Sequence, residues 1–401
     1  MFEKEIGYSN IMHKQKNNER LYYLDWLRVF AVILLIPFHT GMIFVHSDFH
    51  IKNNVTSTGL TIINAFIDNW HMPLFFFLAG ASTWFALSKR TPVTYIKERF
   101  LRLFLPLIFG IIIIVPPQTF YERIQKSGFS GNYVNFYAHL FNGVYPKGNF
   151  TWNHLWFLLY LFIISVAVLP LVWNWKSGRG GSCTASFCAW LVKGHRIFLL
   201  SIPLAIIQMG LKVSFPGPQN LLSDWARLLF MLCIFLYGVM FFKFPGFQDI
   251  IERNFGTALV MGISILVFFI ILHFMNYRFV FGYNIAYLLQ LGVKSLATLC
   301  WLLVLLGFAQ RSLNFSNRFL VYASEAVLAF YILHQTIIIV LGYYIVKTDL
   351  SLIIKYIIIN LLAFIFTVAI YDTMVKRFNV LRLLFGMRFK TKRDLLITVS
   401  G

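Results

Sequence analysis

An arginine and a histidine share one apolar stretch near the start of the chain, "LDWLRVFAVILLIPFHTGMIF", residues 24–44. Arg28 and His39 are eleven positions apart. On an α-helix that separation is about 20° in azimuth and about 16 Å in rise, so the two side chains share a face three turns apart. Asp25 lies one turn before Arg28 on that face, within reach of an ion pair. An imidazole titrates near neutrality and is suited to act as a general base or as a nucleophile. A guanidinium grips phosphate or carboxylate through a planar fork. Together they suit an anionic molecule held at the arginine with its reactive end toward the histidine. Pro37 loosens the helix just below His39.

Other apolar stretches offer polar groups at a similar depth. "TIINAFIDNWHMPLFFFLAG" carries Asn64, Asp68 and His71 at i, i+4 and i+7, one helical stripe. "TWNHLWFLLY" brings His154 and Trp156, and "YASEAVLAFYILHQT" brings Tyr331 and His334 one turn apart. An arginine near a span's end also snorkels to the interface, and a single buried histidine also serves packing. Ionisable groups converging from several spans instead suggest a water-accessible cavity. Asp68, His71 or His334 would then orient His39. Ser82 in "LAGAST" follows a glycine and reads as helix packing. At the other end of the spans, "KERFLRLFLPL" places Arg99 and Arg102 one turn apart. With Arg28, and with Arg179 as a further candidate, they form a basic mouth suited to phosphates. No Walker A or G-x-G-x-x-G stretch occurs, which argues against nucleoside-triphosphate hydrolysis.

These residues need spans to carry them. The chain has 401 residues, 59% of them hydrophobic and 12% charged, with mean hydropathy +0.71. A water-soluble domain carries about 25% charged residues, so this is an integral membrane protein. Twenty apolar residues cross the hydrocarbon core. The pattern predicts an all-α polytopic bundle of about ten transmembrane helices: 22–46, 60–87, 101–120, 151–174, 197–214, 222–243, 256–275, 284–310, 319–346 and 351–375, the fifth and sixth being the weakest. Basic residues favour one set of connecting segments about three to one, from Lys14 and Lys89 through Lys176 and Lys243 to Arg393. That puts both termini in the cytoplasm and explains the net charge of +20 without nucleic acid. The expected organisation is a cytoplasmic tail over 1–20, the transmembrane domain over 21–376 and a basic cytoplasmic tail over 377–401. Cys183, Cys188, Cys233 and Cys300 show no zinc-site spacing, and no metal is expected. No internal repeat or inverted pair of broken helices is visible, which disfavours a secondary transporter.

"RLYYLDWLRVFAVILLIPFHTG" resembles the opening of the membrane acyltransferase-3 family, with its Leu-Asp-x-Leu-Arg run and its Arg-x10-His spacing. "MPLFFFLAG", "KERFLRLFLP", "HLWFLLYLFIISVAVLP" and "YASEAVLAFYILHQT" resemble later motifs of that family in the same order, from about residue 20 to 380. Where the family has a glycine after the Leu-Asp pair, this chain has Trp26. "HTGMIF" followed by "DFHIKN" most resembles the group associated with succinyl transfer to periplasmic glucans. The resemblance implies an O-acyltransferase of the inner (plasma) membrane. It would move an acetyl or succinyl group from cytoplasmic acyl-CoA to a carbohydrate hydroxyl at the outer face.

On that implication Arg28, Arg99 and Arg102 hold the coenzyme's phosphates. His39 takes the acceptor's proton or first accepts the acyl group. Asp25 supports Arg28, and Asp68, His71, Trp156, Tyr331 and His334 support the reaction or line the acceptor pocket. The lipid bilayer and a carbohydrate are the expected partners, with a second copy or an envelope-biosynthesis protein as further candidates. A transporter or flippase for an envelope glycan or lipid is the alternative reading, and a membrane scaffold a third.

Overall fold

A backbone in hydrocarbon has no water to bond, so each spanning segment must satisfy its own amides by coiling into a helix. The computed structural model describes residues 20–178, 182–217 and 220–389, so Arg179, nearly all of the expected N-terminal tail and residues 390–401 of the expected C-terminal tail lie outside it. Among the described residues there is no strand, only one isolated bridge between Val144 and Phe150. The helices are α1 (Tyr22–Met42), α2 (Thr58–Leu87), α3 (Pro92–Ser127), α4 (Tyr133–Ala138), α5 (Trp156–Ala167), α6 (Leu169–Lys176) and α7 (Ser182–Leu191). They continue with α8 (Ser201–Leu211), α9 (Trp225–Lys243), α10 (Phe247–Phe274), α11 (Ile285–Ser312), α12 (Arg318–Ile345), α13 (Leu352–Val375) and α14 (Asn379–Leu384).

Eight of these are long and apolar enough to cross a membrane, and a ninth crossing results if the pair Asn153–Ala167 and Leu169–Lys176, bent by 46°, counts as one span. All ten segments expected from hydropathy are helical. The fifth differs from expectation in length: with its leading turn of 3-10 helix it runs only Arg196–Leu211, below the roughly 17–25 residues that span unaided. The fourth bends at Val168–Leu169, just before Pro170, whose ring cannot continue the preceding turn.

Helix position follows burial. The apolar window of α10 is 11% buried, whereas those of α11 and α12 are 61% buried. Thus α10 lies on the lipid-facing periphery, and α1, α2, α9, α11 and α12 form the centre, where candidate chemical groups are held. The tightest crossing joins α2 to α9. A Cβ on Gly80 would fall 2.0 Å from the Phe235 carbonyl oxygen, and one on Gly238 would fall 2.0 Å from that of Phe77. Only glycine allows two backbones to approach so closely.

Within α3, two π-helical turns occur at Phe100–Phe104 and Gly110–Ile114. Each runs up to a proline, Pro106 or Pro116, whose missing N–H cannot close a regular turn. Arg102 sits in the first of them. α1 continues through Pro37, and side chains from two other helices bond its carbonyls there. The Tyr356 hydroxyl donates to the Pro37 carbonyl at 3.2 Å, and Asn64 Nδ2 donates to that of Phe38 at 2.9 Å.

Candidate active site

His39 projects from the last turns of α1 and meets His334 of α12. His334 Nε2 lies 3.2 Å from His39 Nδ1. The tautomers follow from the remaining partners. His334 Nδ1 is 2.7 Å from the Tyr331 carbonyl and 3.2 Å from that of Phe330. Carbonyls only accept, so this nitrogen carries the proton, and Nε2 of the neutral ring is an acceptor. His39 Nδ1 must therefore donate, both to His334 and to the Leu35 carbonyl at 3.0 Å. His39 Nε2 is left with its lone pair and makes no hydrogen bond among the described residues. A half-buried imidazole whose second nitrogen is fixed as a donor is an oriented base or nucleophile.

Behind the pair lies a buried polar network. The rings of His154 and His334 meet edge to face at 5.3 Å. His154 Nε2 donates to the Ile332 carbonyl at 3.1 Å, and Nδ1 accepts from Gln118 Nε2 at 3.3 Å. Gln118, fully buried, also donates to Thr336 at 2.7 Å and accepts from Asn153 at 3.1 Å and Gln335 at 3.0 Å. The Tyr331 hydroxyl donates to the His154 carbonyl. Each of these groups has a partner, the condition under which a buried network rigidifies its surroundings.

The other stripe residues separate. His71 Nε2 donates to the Ala31 carbonyl at 2.7 Å and ties α2 to α1, with its ring near Phe38 at 5.9 Å. Asp68 is exposed and lines a different cavity. Three residues turn a helix by 300°, so Asp68 and His71 lie about 60° apart, enough to face different neighbours. Trp156 is buried beneath the Arg227 guanidinium at 5.3 Å and beside Tyr160, away from the histidine pair.

The segment between α1 and α2 folds over the end of α1. Lys52 Nζ donates to the carbonyls of Met42 at 3.0 Å and Ser47 at 2.9 Å, and also to that of Val45. The first is an acceptor at the end of α1, where a cation is favourable, and the other two belong to the turn that follows it. Burial nevertheless pushes the Lys52 ammonium below its ordinary value. Phe49 lies between the rings of His39 (6.3 Å) and His50 (5.1 Å), and His50 Nδ1 meets Glu122 at 2.5 Å. Glu122 also accepts from Tyr145 at 3.0 Å and pairs with Lys126 at 3.4 Å. Burial, and then the Glu122 charge, raises the Tyr145 hydroxyl above its ordinary value. His50, Glu122 and Gln118 carry no short-range pattern that marks them in the sequence.

At the opposite end of α1, Asp25 bridges Arg20 at 2.8 Å and Arg28 at 2.6 Å. Arg28 Nη2 donates to Ser82 at 2.6 Å, and Ser82 donates to the Leu78 carbonyl at 2.6 Å. Ser82 is thus a clamp on Arg28, a role the sequence reading missed. Arg99 donates to Thr83 at 3.1 Å and lies over the Tyr95 ring at 4.8 Å. The charge of Arg99 acts on Arg28, and those of Arg388, Glu98, Arg99 and Arg90 act on Arg102. The C-terminal segment joins this cluster through Gly386, whose Cβ would fall 2.7 Å from the Arg102 carbonyl. Trp26 anchors the start of α1: its indole donates to the Phe315 carbonyl at 3.0 Å and packs on Phe315 and Phe319. Among the described residues no group of three or more His, Cys, Asp or Glu is placed to hold a metal ion.

Residues 21–372 match the acyltransferase-3 profile, described as an acyltransferase domain. The chain is 26% identical over 340 residues to glucans biosynthesis protein C of Escherichia coli (strain K12 / DH10B), covering 82% of this chain and 84% of that protein. Proteins of the same name from Escherichia coli O81 (strain ED1a) and Escherichia coli (strain SMS-3-5 / SECEC) match with the same identity and coverage. No solved structure gives a significant match.

Proposed function

The chain belongs to the acyltransferase-3 family, and from that premise we propose that it carries an acyl group across the membrane. The donor is cytoplasmic acyl-CoA and the acceptor a hydroxyl of a carbohydrate at the outer face. Both termini then lie in the cytoplasm and the protein resides in the inner (plasma) membrane. The excess of basic residues on one set of loops supports that orientation. The relationship to proteins named for glucan biosynthesis supports a glucan acceptor.

The observation that carries this reading is the hydrogen bond between His334 and His39, which leaves His39 Nε2 free as an acceptor. Arg28, held by Asp25 and Ser82, and the neighbouring Arg99 and Arg102 supply cations for the coenzyme's phosphates at the other end of the same bundle. In the simplest mechanism His39 Nε2 takes the proton of the acceptor hydroxyl as its oxygen attacks the thioester carbonyl, and the thiolate of coenzyme A leaves. In the other route the same nitrogen attacks first and carries the acyl group to the acceptor. Either an acetyl or a succinyl donor satisfies this chemistry.

The test compares wild type and His39→Ala in liposomes, measuring coenzyme A binding by calorimetry and acyl-CoA turnover by thiol release. Binding retained with turnover lost is the expected result. Absence of coenzyme A binding by folded wild type overturns the proposal in favour of transport.

A further inference from the structure

A second polar space lies among α2, α8, α9 and α11, with a volume of about 230 Å³. Lys212, Arg227 and Lys294 stand on its walls against a single carboxylate, Asp68. Arg227 is partly engaged, with Nε 3.3 Å from the buried Asp224 and its guanidinium over Trp156. Lys212 and Lys294 make no ion pair within 4 Å among the described residues, and neither does Asp68. Lys294 Nζ also lies 5.7 Å from the centroid of the Phe269 ring.

Lys212, Arg227 and Lys294 outnumber Asp68 and Asp224, and this excess of positive charge around one cavity favours an anion. Donors on the wall from α9, α11 and the residue just after α8 match a group with several charged oxygens in a tetrahedral arrangement, whereas one planar carboxylate is met by a single arginine. Met72, Phe230 and Leu291 add apolar wall, which accommodates an alkyl portion beside the charge. No residue of α1 or α12 lines the space, so it is separate from the histidine pair. The arginine cluster is distant as well: Pro73 on its wall and Ser82 at the clamp are nine residues of α2 apart, about 14 Å of helix.

We infer that this cavity is a binding site for a phosphate group, supplied either by a lipid headgroup or by a soluble phosphate. The inference does not depend on the transfer reaction proposed above.

The experiment uses the full-length protein in uncharged detergent, with inorganic phosphate and dioctanoyl phosphatidic acid as separate calorimetric probes. At least one probe is expected to bind saturably to wild type. The Lys212→Gln/Lys294→Gln variant should bind it about a hundredfold more weakly, near tenfold for each charged hydrogen bond removed. Asp68→Asn, a conservative change at an exposed position, should bind it several-fold more tightly. Binding of phosphatidic acid alone assigns the site to a lipid headgroup, and equal binding of inorganic phosphate assigns it to a soluble ligand. The inference is overturned if neither probe binds folded wild type, or if neither the double variant nor Asp68→Asn changes affinity. It is also overturned if Arg28→Ala abolishes the binding that the double variant retains.

Discussion

His334 Nε2 accepts a hydrogen bond from His39 Nδ1 across 3.2 Å, and the carbonyls of Phe330 and Tyr331 fix the proton on the far side of His334. The basic nitrogen of His39 is thereby chosen by a residue 295 positions away. His334 is a positioning residue in this scheme. Replacing it with alanine removes one neutral hydrogen bond, worth roughly 0.5–1.5 kcal/mol. The expected result is a few- to tenfold fall in kcat with KM for acyl-CoA unchanged. Glutamine, which keeps an acceptor near the same place, should recover part of the loss. His39→Ala should cost more, about 10²–10⁴-fold in kcat. Steady-state thiol release on the three variants checks the order.

Ser82→Ala removes the acceptor that holds Arg28 Nη2. Coenzyme A affinity is expected to fall several-fold while kcat is retained. Arg28→Lys should weaken binding further, since an ammonium cannot divide itself between Asp25, Ser82 and a phosphate as a fork does. Calorimetric titration with coenzyme A reads both effects.

Gly80→Ala or Gly238→Ala would push a methyl into a carbonyl of the facing helix. Overpacking of a fixed crossing costs about 1–3 kcal/mol, more where backbones must part. A lowered thermal midpoint in detergent is expected for each. The pair combined should lose less than the sum, because the first separation relieves the second contact.

Lys52→Met leaves three carbonyls, one at the end of α1 and two in the turn after it, without their shared donor. A stability loss of about 1–2 kcal/mol is expected. Turnover should fall with it, because Lys52 holds the turn that follows the end of α1 carrying His39. Thermal unfolding and thiol release on one preparation test the link.

Much of this arrangement is legible in the chain before folding. Helical periodicity alone puts Arg28 and His39 on one face, and Tyr331 and His334 one turn apart. Depth in the spans brings His39 and His334 to the same level. Azimuth is harder to judge: Asp68 and His71 share a stripe, yet one faces a basic cavity and the other a carbonyl of α1. Ser82 was misread because a serine after a glycine looks the same whether it packs or clamps an arginine. Gln118 reaches Gln335 and Thr336 across more than two hundred residues, and no local spacing encodes such a meeting. Trp26, at a position where a glycine was expected, is explained only by Phe315 in the distant loop before α12 and Phe319 in the first turn of α12.

Because Arg28 and His39 ride on one continuous helix, their separation is a fixed length of backbone. Such a helix is a gauge rod. A donor gripped at one mark reaches the other only if its arm has the matching length, whatever the chemistry at its tip. An insertion of one residue between them would lengthen the rod by only about 1.5 Å but turn one mark by about 100° away from the other. On the proposed function, selection by reach resists drift in the side chains around it, and it is lost at once when the count between the two residues changes.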